Sequence, residues 1–422
     1  MINQRKIALD ALVDIEKNVS YSNIVLRNMF SDNSIKAADR PFISALFYGV
    51  LDRKITLDYV ISQFTVKPVK NITPVTLCSL RLAVYQIMYM DKVPASAAVN
   101  ESVALVKNSK ERYNSSFVNA VLRNFLRKGV ALPDDNSANA LCIRYSCPVW
   151  IVDSLINDYG IDTAIGVLNH YLTVPDITVR VNTTLISNVE FRKQIENDNV
   201  TLAETVLTHA YSFSGGTDVK SLTSYKNGYF YVQDIPSQIA VTKLNIKAGE
   251  RVLDMCAAPG GKTFFAAITS ENKANITSCD VYENRLSLIK SGAERLQLKN
   301  IDYLLCDSRI YSEGDKYDVV ICDVPCSGLG VIRRKPEIKY KTEIDLVELK
   351  STQTAILDNA VKYLKTGGRI LYSTCTLRRA ENESIVGACL DKYGNFALEY
   401  EHTFLPDTDK TDGFYCAVLK SR

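Results

Sequence analysis

Apolar residues recur at helical spacing in segment after segment over the first 130 or so positions: Ile7, Leu12 and Ile15, then Val103 and Val106, then Val118, Val121, Leu122 and Phe125. That spacing puts them on one stripe of a helix, which has to be buried against other helices. Pro41, Pro68, Pro74 and Pro94 interrupt the segments where helices should begin or end. The pattern predicts an all-helical domain over 1–140, closed by the polar stretch LPDDNSANA at 132–140, which reads as a linker. Over 141–238 a helical stretch, PVWIVDSLINDYG, mixes with β-rich ones, DITVRVNTTL and GYFYVQD, and predicts a small α+β module. From 239 to 422 the short apolar runs RVLDM, NITSCD, DYLLCD, DVVICD, GRILYST and GFYCAVLK alternate with amphipathic segments. Such alternation predicts an α/β domain with a parallel, doubly wound sheet and helices on both faces. Right-handed crossovers then bring the strand C-terminal ends to one edge, where such sheets bind ligands.

Composition narrows the class. With 46% hydrophobic and 23% charged residues, the 422-residue chain reads as a globular protein of two or three domains. No run of about 18 apolar residues occurs, and the first thirty residues carry charges throughout, so neither a membrane span nor a signal peptide is expected. Eleven cysteines contain no C-x-x-C pair and stand beside only three histidines, His170, His209 and His402, which argues against a structural metal site. An odd number of thiols fits a reducing cytoplasm. Cys78, Cys279, Cys389 and Cys416 read as small core residues. The net charge of +3 is unevenly spread: residues 1–135 hold 18 Lys/Arg against 12 Asp/Glu. That surplus suits either a nucleic-acid face or an ordinary solvated one.

The first run of the last domain continues as LDMCAAPGGKT, 253–263, whose Gly-Gly-Lys-Thr resembles the tail of a phosphate-binding loop. That loop requires a glycine five positions before the Gly of the Gly-Lys pair, where Cys256 stands, and Pro259 stiffens the turn further. The Gly-x-Gly-x-x-Gly spacing of dinucleotide folds is also missing. What remains is a strand, a turn of small residues that lets the backbone approach a ligand, and a helix starting near Lys262; a plain strand-to-helix turn is the alternative. Asp254, Asp280, Asp307 and Asp323 lie in or at the ends of four strands. Any one of them would be a turn or helix cap, but together they line one edge. Asp280 follows Asp254 by 26 residues, near the place where dinucleotide folds set an acid on a ribose. Several carboxylates would repel a polyphosphate but accept a cationic nucleoside, and S-adenosylmethionine is such a molecule.

Two loops at the same edge carry thiols: Cys326 in CDVPCSGLGVIRRKPEIKY and Cys375 in YSTCTLRRAENESIV, with Lys262, Arg333, Arg334, Arg378 and Arg379 as cations that would favour a thiolate. Carbon 5 of a pyrimidine is a poor nucleophile until a thiolate adds to carbon 6, so methylation of that carbon needs a thiol whereas methylation of an amine or a hydroxyl does not. Reading the residues does not choose between the two thiols. A base that reacts at its ring must leave its stack to be reached, and Tyr340, Tyr372 and Arg333 are candidates to stack on it.

The stretches VNESVALVK, FVNAVLRNFLR, VQDIPSQIA, DMCAAPGGKT, DVPCSGLGVIRRKPEIKY, STCTLRRAENE and TDGFY resemble the RNA cytosine-5 methyltransferases over nearly the whole chain, in particular the branch acting on 16S rRNA of the small ribosomal subunit. The resemblance implies a NusB-like RNA-binding domain over 1–140, a linking and RNA-binding module over 141–238, and a Rossmann-like methyltransferase domain with a mostly parallel seven-stranded sheet over 239–422. It implies S-adenosylmethionine held by Cys256, Ala257, Ala258, Pro259, Gly260, Gly261 and Lys262 with Asp280, Asp307 and Asp323. Cys375 would be the nucleophile, Cys326 would assist product release, and Asp323 would also contact the cytosine. The implied partner is small-subunit rRNA, met by a cytoplasmic monomer without metal. A tRNA substrate and a non-catalytic RNA-binding protein are the alternatives.

Overall fold

The computed structural model describes residues 3–18, 22–30, 35–213, 217–312, 316–341 and 347–422. The chain forms two compact units, one of residues 1–173 with 332–341, the other of 174–331 with 342–422.

The first unit is helical. Its longer helices are Gln4–Asn18, Arg40–Ser62, Pro74–Tyr89, Ala95–Lys107 and Ser115–Lys128, followed by Ala138–Tyr145, Val149–Tyr159 and Ile161–Tyr171. Pro41 and Pro74 sit in the first turns of their helices and Pro94 caps the next, where a missing N–H costs nothing. The predicted stripe Val118, Val121, Leu122 and Phe125 is buried, and it shares one core with Leu12, Phe47, Leu57 and Leu80. The boundary expected at 140 falls inside the helix Ala138–Tyr145. That helix is tied to Arg40–Ser62: Thr56 Oγ1 donates to Ile143 O (2.6 Å), and Ile55 N donates to Ser146 Oγ (3.0 Å). Residues 141–173 therefore pack with the helical unit, and the irregular stretch that precedes Ala138 connects helices of one unit.

The second unit holds two sheets. The smaller has strands β1 (Ile177–Val181), β2 (Ala203–Glu204), β3 (Ala210–Phe213) and β4 (Phe230–Val232) in the order β2-β3-β1-β4, all antiparallel. Phe191 and Ile195 of the helix Asn188–Asn197 pack on Val179, Val181, Phe213 and Phe230. This sheet is fastened within the unit by Asn182, whose Nδ2 donates to Gly228 O (3.1 Å) and Leu296 O (2.8 Å), and by Arg295, whose Nη1 donates to Tyr225 O (2.7 Å) and Phe230 O (3.0 Å).

The larger sheet has seven strands: β5 (Arg251–Asp254), β6 (Asn275–Asp280), β7 (Ile301–Leu305), β8 (Tyr317–Asp323), β9 (Leu364–Thr374), β10 (Phe396–Phe404) and β11 (Phe414–Ser421). Their order is β10-β11-β9-β8-β5-β6-β7, parallel from β9 through β7, with β11 antiparallel to both its neighbours. Side-chain alternation splits the core in two. Leu253, Val320, Ile370 and Tyr372 face Ile356, Ala360, Ile385 and Val386 from the helices Val347–Tyr363 and Glu383–Lys392. Their chain neighbours Val252, Val319, Ile321 and Leu371 face Ala240, Val241, Phe265 and Ala266 from the helices Ile235–Thr242 and Gly261–Thr269. This is the doubly wound arrangement expected from the alternating runs. β10 lies outside those runs: Glu399, Glu401 and His402 interrupt the apolar residues of FALEYEHTF, and three of its nine residues are exposed. The order reverses between β5 and β8, so the crevice for a ligand opens beyond their C-terminal ends.

Candidate functional site

A cavity of about 150 Å³ opens at that crevice, lined by Asp254, Cys256, Ala257, Ala258, Pro259, Gly261, Lys262 and Asp323, with Val232, Gln233 and Ser237 completing the wall. The turn is shaped for close approach. Gly260 has φ +112°, and a Cβ there would come within 2.4 Å of the Phe264 ring, so only glycine fits. The helix Gly261–Thr269 begins at once, aiming its free N–H groups at the crevice.

The charges of the cavity form a chain. Lys262, 6% exposed, sets its Nζ 2.6 Å from Asp323 Oδ2, and Ser373 Oγ of β9 donates to Asp323 Oδ1 at 2.8 Å. Asp254 is fully buried; Thr263 Oγ1 donates to its Oδ2 (2.8 Å), while its Oδ1 finds no hydrogen-bond partner. Burial raises the Asp254 carboxyl to about 7, with the charge of Asp323 adding to the rise and Thr263 and Lys262 opposing it. When both acids are ionised the wall carries more negative than positive charge, which suits a cationic ligand with hydrogen-bond donors.

Asp280 and Asp307 stand beside this wall and not in it. Asp280, 4% exposed at the end of β6, accepts from Tyr282 N (3.1 Å) and lies 3.4 Å from Arg285 Nη1. Arg285 Nη2 also donates to Ala258 O (2.8 Å), linking Asp280 to the turn. Asp307 is held by Arg309 through bonds of 2.6–3.0 Å, and this guanidinium keeps its carboxyl below the ordinary value.

The two loop thiols meet. Cys326 Sγ and Cys375 Sγ are 3.2 Å apart, and neither is in a disulfide. Adjacency of β8 and β9 brings them together, since Cys326 follows β8 by three residues and Cys375 directly follows β9. The Cys375 sulfur, burial and the nearby charge of Glu381 push the Cys326 thiol well above its ordinary value. Gly330 and Gly413 make room for the Cys375 loop. A Cβ on Gly330 would lie 1.9 Å from Gly413 O and 2.9 Å from Cys375 O.

The expected cations divide differently. Lys262 is committed to Asp323, and Arg378 lies 3.8 Å from Glu381. Arg333 and Arg334 go with the helical unit, where Arg333 Nη1 donates to Thr173 Oγ1 (3.3 Å). Tyr372 is a correction: it is fully buried with its hydroxyl on Glu381 O (2.6 Å), so its ring is not open to a base. Tyr340 belongs to the helical unit, with its hydroxyl on Leu51 O (2.5 Å) and Lys54 Nζ 4.9 Å from its ring centre. Cys78, Cys279, Cys389 and Cys416 are buried as expected. Among the described residues no group of His, Cys, Asp and Glu is placed to hold a metal, and no helix is long and apolar enough to cross a membrane. Sequence reasoning gave no role to Val232, Gln233 and Ser237, although the stretch VQDIPSQIA that carries all three was the signal for them.

Comparison with known proteins bears on this site. Residues 241–420 match the family described as 16S rRNA methyltransferase RsmB/F, and residues 2–127 match the NusB family. The chain is 35% identical to the "Probable ribosomal RNA small subunit methyltransferase B" of Bacillus subtilis (strain 168), across 99% of this chain and 98% of that one. It is 30% identical to the ribosomal RNA small subunit methyltransferase B of Vibrio cholerae serotype O1, across 100% and 98%. Among solved structures, PH0851 superposes with a TM-score of 0.84 at 24% identity over 100% of this chain and 99% of that one. NSun6 from Pyrococcus horikoshii, crystallised with SFG, superposes at 0.60 and 23% identity over 65% and 98%. With its NusB domain, its seven-stranded methyltransferase sheet and full-length relatives, the chain belongs to the RsmB/F family of S-adenosylmethionine-dependent methyltransferases of small-subunit ribosomal RNA.

Proposed function

We propose that this protein methylates carbon 5 of a cytosine in 16S rRNA through a covalent adduct on Cys375. The observation that carries the reading is the pair of sulfurs 3.2 Å apart, in loops that leave β8 just after the cavity residue Asp323 and β9 just after Ser373, which bonds it. S-adenosylmethionine supplies an electrophilic methyl group on a positively charged sulfur. Residues 256–262 would cradle that molecule, Asp280 and Asp307 beside the wall would hold its nucleoside part, and the unpaired Asp254 Oδ1 fits a donor or a positive charge. Asp323, held by Lys262 and Ser373, would contact both the cofactor and the cytosine.

The Cys375 thiolate adds to carbon 6, forming an S–C bond and leaving carbon 5 with the electron pair that takes the methyl group, whose bond to the sulfonium breaks and leaves its pair on that sulfur. A base then removes the carbon 5 proton; the C–H pair restores the ring double bond, and the S–C6 pair returns to the Cys375 sulfur. Cys326, its proton held firmly, stays beside the departing sulfur and assists this release. The NusB domain and the small sheet hold the RNA, and the enzyme acts as a cytoplasmic monomer without metal.

A denaturing gel tests the assignment. Incubated with S-adenosylmethionine and unmodified 16S rRNA fragments, Cys326→Ala should accumulate a protein–RNA adduct and Cys375→Ala should not. An adduct only with Cys375→Ala exchanges the roles. If neither variant forms one while the wild type methylates RNA, the covalent route is wrong.

A further inference from the structure

Between the two thiol loops lies a buried carboxylate to which the reading above gives no task. Glu381 is 2% exposed. Its Oε2 accepts the backbone N–H of Ser327 (2.9 Å), the residue after Cys326. The same oxygen accepts from Gln353 Nε2 (3.0 Å), which also donates to the carbonyl of Pro325 (2.9 Å), the residue before Cys326. The neighbouring Asn382 holds the other loop: its Oδ1 accepts from Thr374 Oγ1 (2.6 Å) and its Nδ2 donates to Thr376 O (3.0 Å), one residue either side of Cys375. A bond between Ser327 Oγ and Thr376 Oγ1 (2.7 Å) closes the ring.

Both peptide groups that flank Cys326 are thus fixed through one carboxylate oxygen and its amide partner. A carboxylate with so little access to water is costly to bury, so its bonds determine the loop conformation strongly. The bonds from Asn382 to the Cys375 loop, by contrast, are independent of the Glu381 side chain. The Glu381 side chain also meets that loop through Arg378 Nη1, but at 3.8 Å, longer than the Asn382 bonds, so its loss frees the Cys326 loop and leaves Cys375 held by Asn382.

We infer that Glu381 is a positioning residue for product release, holding the Cys326 sulfur against Cys375 while leaving the attack by Cys375 to other contacts. The inference rests on the roles proposed above for the two thiols. Glu381→Ala should attack and methylate but stall, accumulating the adduct as Cys326→Ala does, with multiple turnover reduced roughly a hundredfold by the misplaced group. Glu381→Gln keeps an acceptor for Ser327 N and Gln353 and should clear the adduct and restore most of the turnover. A merely structural role would lower attack and release together.

The assay runs Cys326→Ala, Glu381→Ala, Glu381→Gln and Gln353→Ala side by side on the full-length protein with 16S rRNA fragments. Adduct in Glu381→Ala and none in Glu381→Gln supports the inference. If Cys326→Ala traps an adduct and Glu381→Ala does not, the inference is overturned and the thiol roles stand. If Cys326→Ala traps nothing, both fall. Should Glu381→Ala fail to fold by circular dichroism, Gln353→Ala decides: adduct supports the inference and clean turnover overturns it.

Discussion

In the helical unit Arg81, 4% exposed, gives Nε and Nη2 to Asp58 (2.6 and 2.8 Å) and Nη1 to Glu16 (2.8 Å), which Lys54 also meets. At the sheet edge Asp254 is buried as deeply, yet only one of its oxygens has a partner. The pKa shifts follow the bonding. Burial works against the Arg81 charge, but the Asp58 bonds hold its pKa above the ordinary value, whereas burial dominates at Asp254 and lifts it to about 7. A saturated ion network stabilises one structure, and an unsaturated one retains capacity for a ligand.

The contrast breaks most sharply under substitution. Arg81→Met leaves Asp58 and Glu16 without their shared cation and should cost about 3 kcal/mol, the lower end for breaking a buried pair. Urea unfolding measures it, with affinity for S-adenosylmethionine unchanged in the folded protein. An equal loss of that affinity would mean the two networks are not independent. Lys262→Met should do the reverse: roughly a hundredfold lower kcat/KM for methyl transfer, as for loss of one oriented electrostatic group, with little shift in the unfolding midpoint.

The pH dependence gives the next largest effect. A cationic ligand favours ionised Asp254, so calorimetric binding of S-adenosylmethionine should tighten as pH rises from 6 to 8, by at most about tenfold per unit below the shifted value. Stability responds with the opposite sign. Because the folded pKa of about 7 lies above the ordinary 3.8, the folded state binds more protons within that window, and the Asp254 contribution falls as pH rises through it. Asp254→Asn should remove that part of the slope of Tm against pH. Asp52, raised to about 6 by burial, adds a slope of the same sign from the helical unit that survives the substitution. Smallest is Ser373→Ala, which deletes one bond to Asp323 and should cost about 1 kcal/mol in transition-state binding, seen as a few-fold drop in kcat/KM.

Much of the site was legible because it follows from period and position. The run RVLDM with Asp254 inside it and DVVICD ending in Asp323 placed both acids at one edge, and both line the cavity. Tyr372 shows where the same reasoning stopped: a tyrosine near a thiol has the composition of a stacking residue, but its place on β9 turns it into the core, where its hydroxyl bonds Glu381 O. Glu381 lies within STCTLRRAENE, where a glutamate in a charged stretch has the pattern of a solvated one and nothing local marks it as buried. The small sheet was expected as part of a separate module; its ties through Asn182 and Arg295 cross 114 and 65–70 residues of chain, beyond any local spacing.

What the sequence by itself determined is the periodicity of each element, the sheet edge at which the acids and thiols emerge, and the family. These depend on the alternation of side chains along a strand or helix and on short motifs, both local properties of the chain. Only the tertiary structure decided that Cys326 and Cys375, 49 residues apart, share a proton-bonding distance, that Glu381 braces one of them, and that 141–173 pack with the helical unit. Those outcomes depend on which strands lie side by side and which helices share a core, and that is settled by the summed burial of many distant residues.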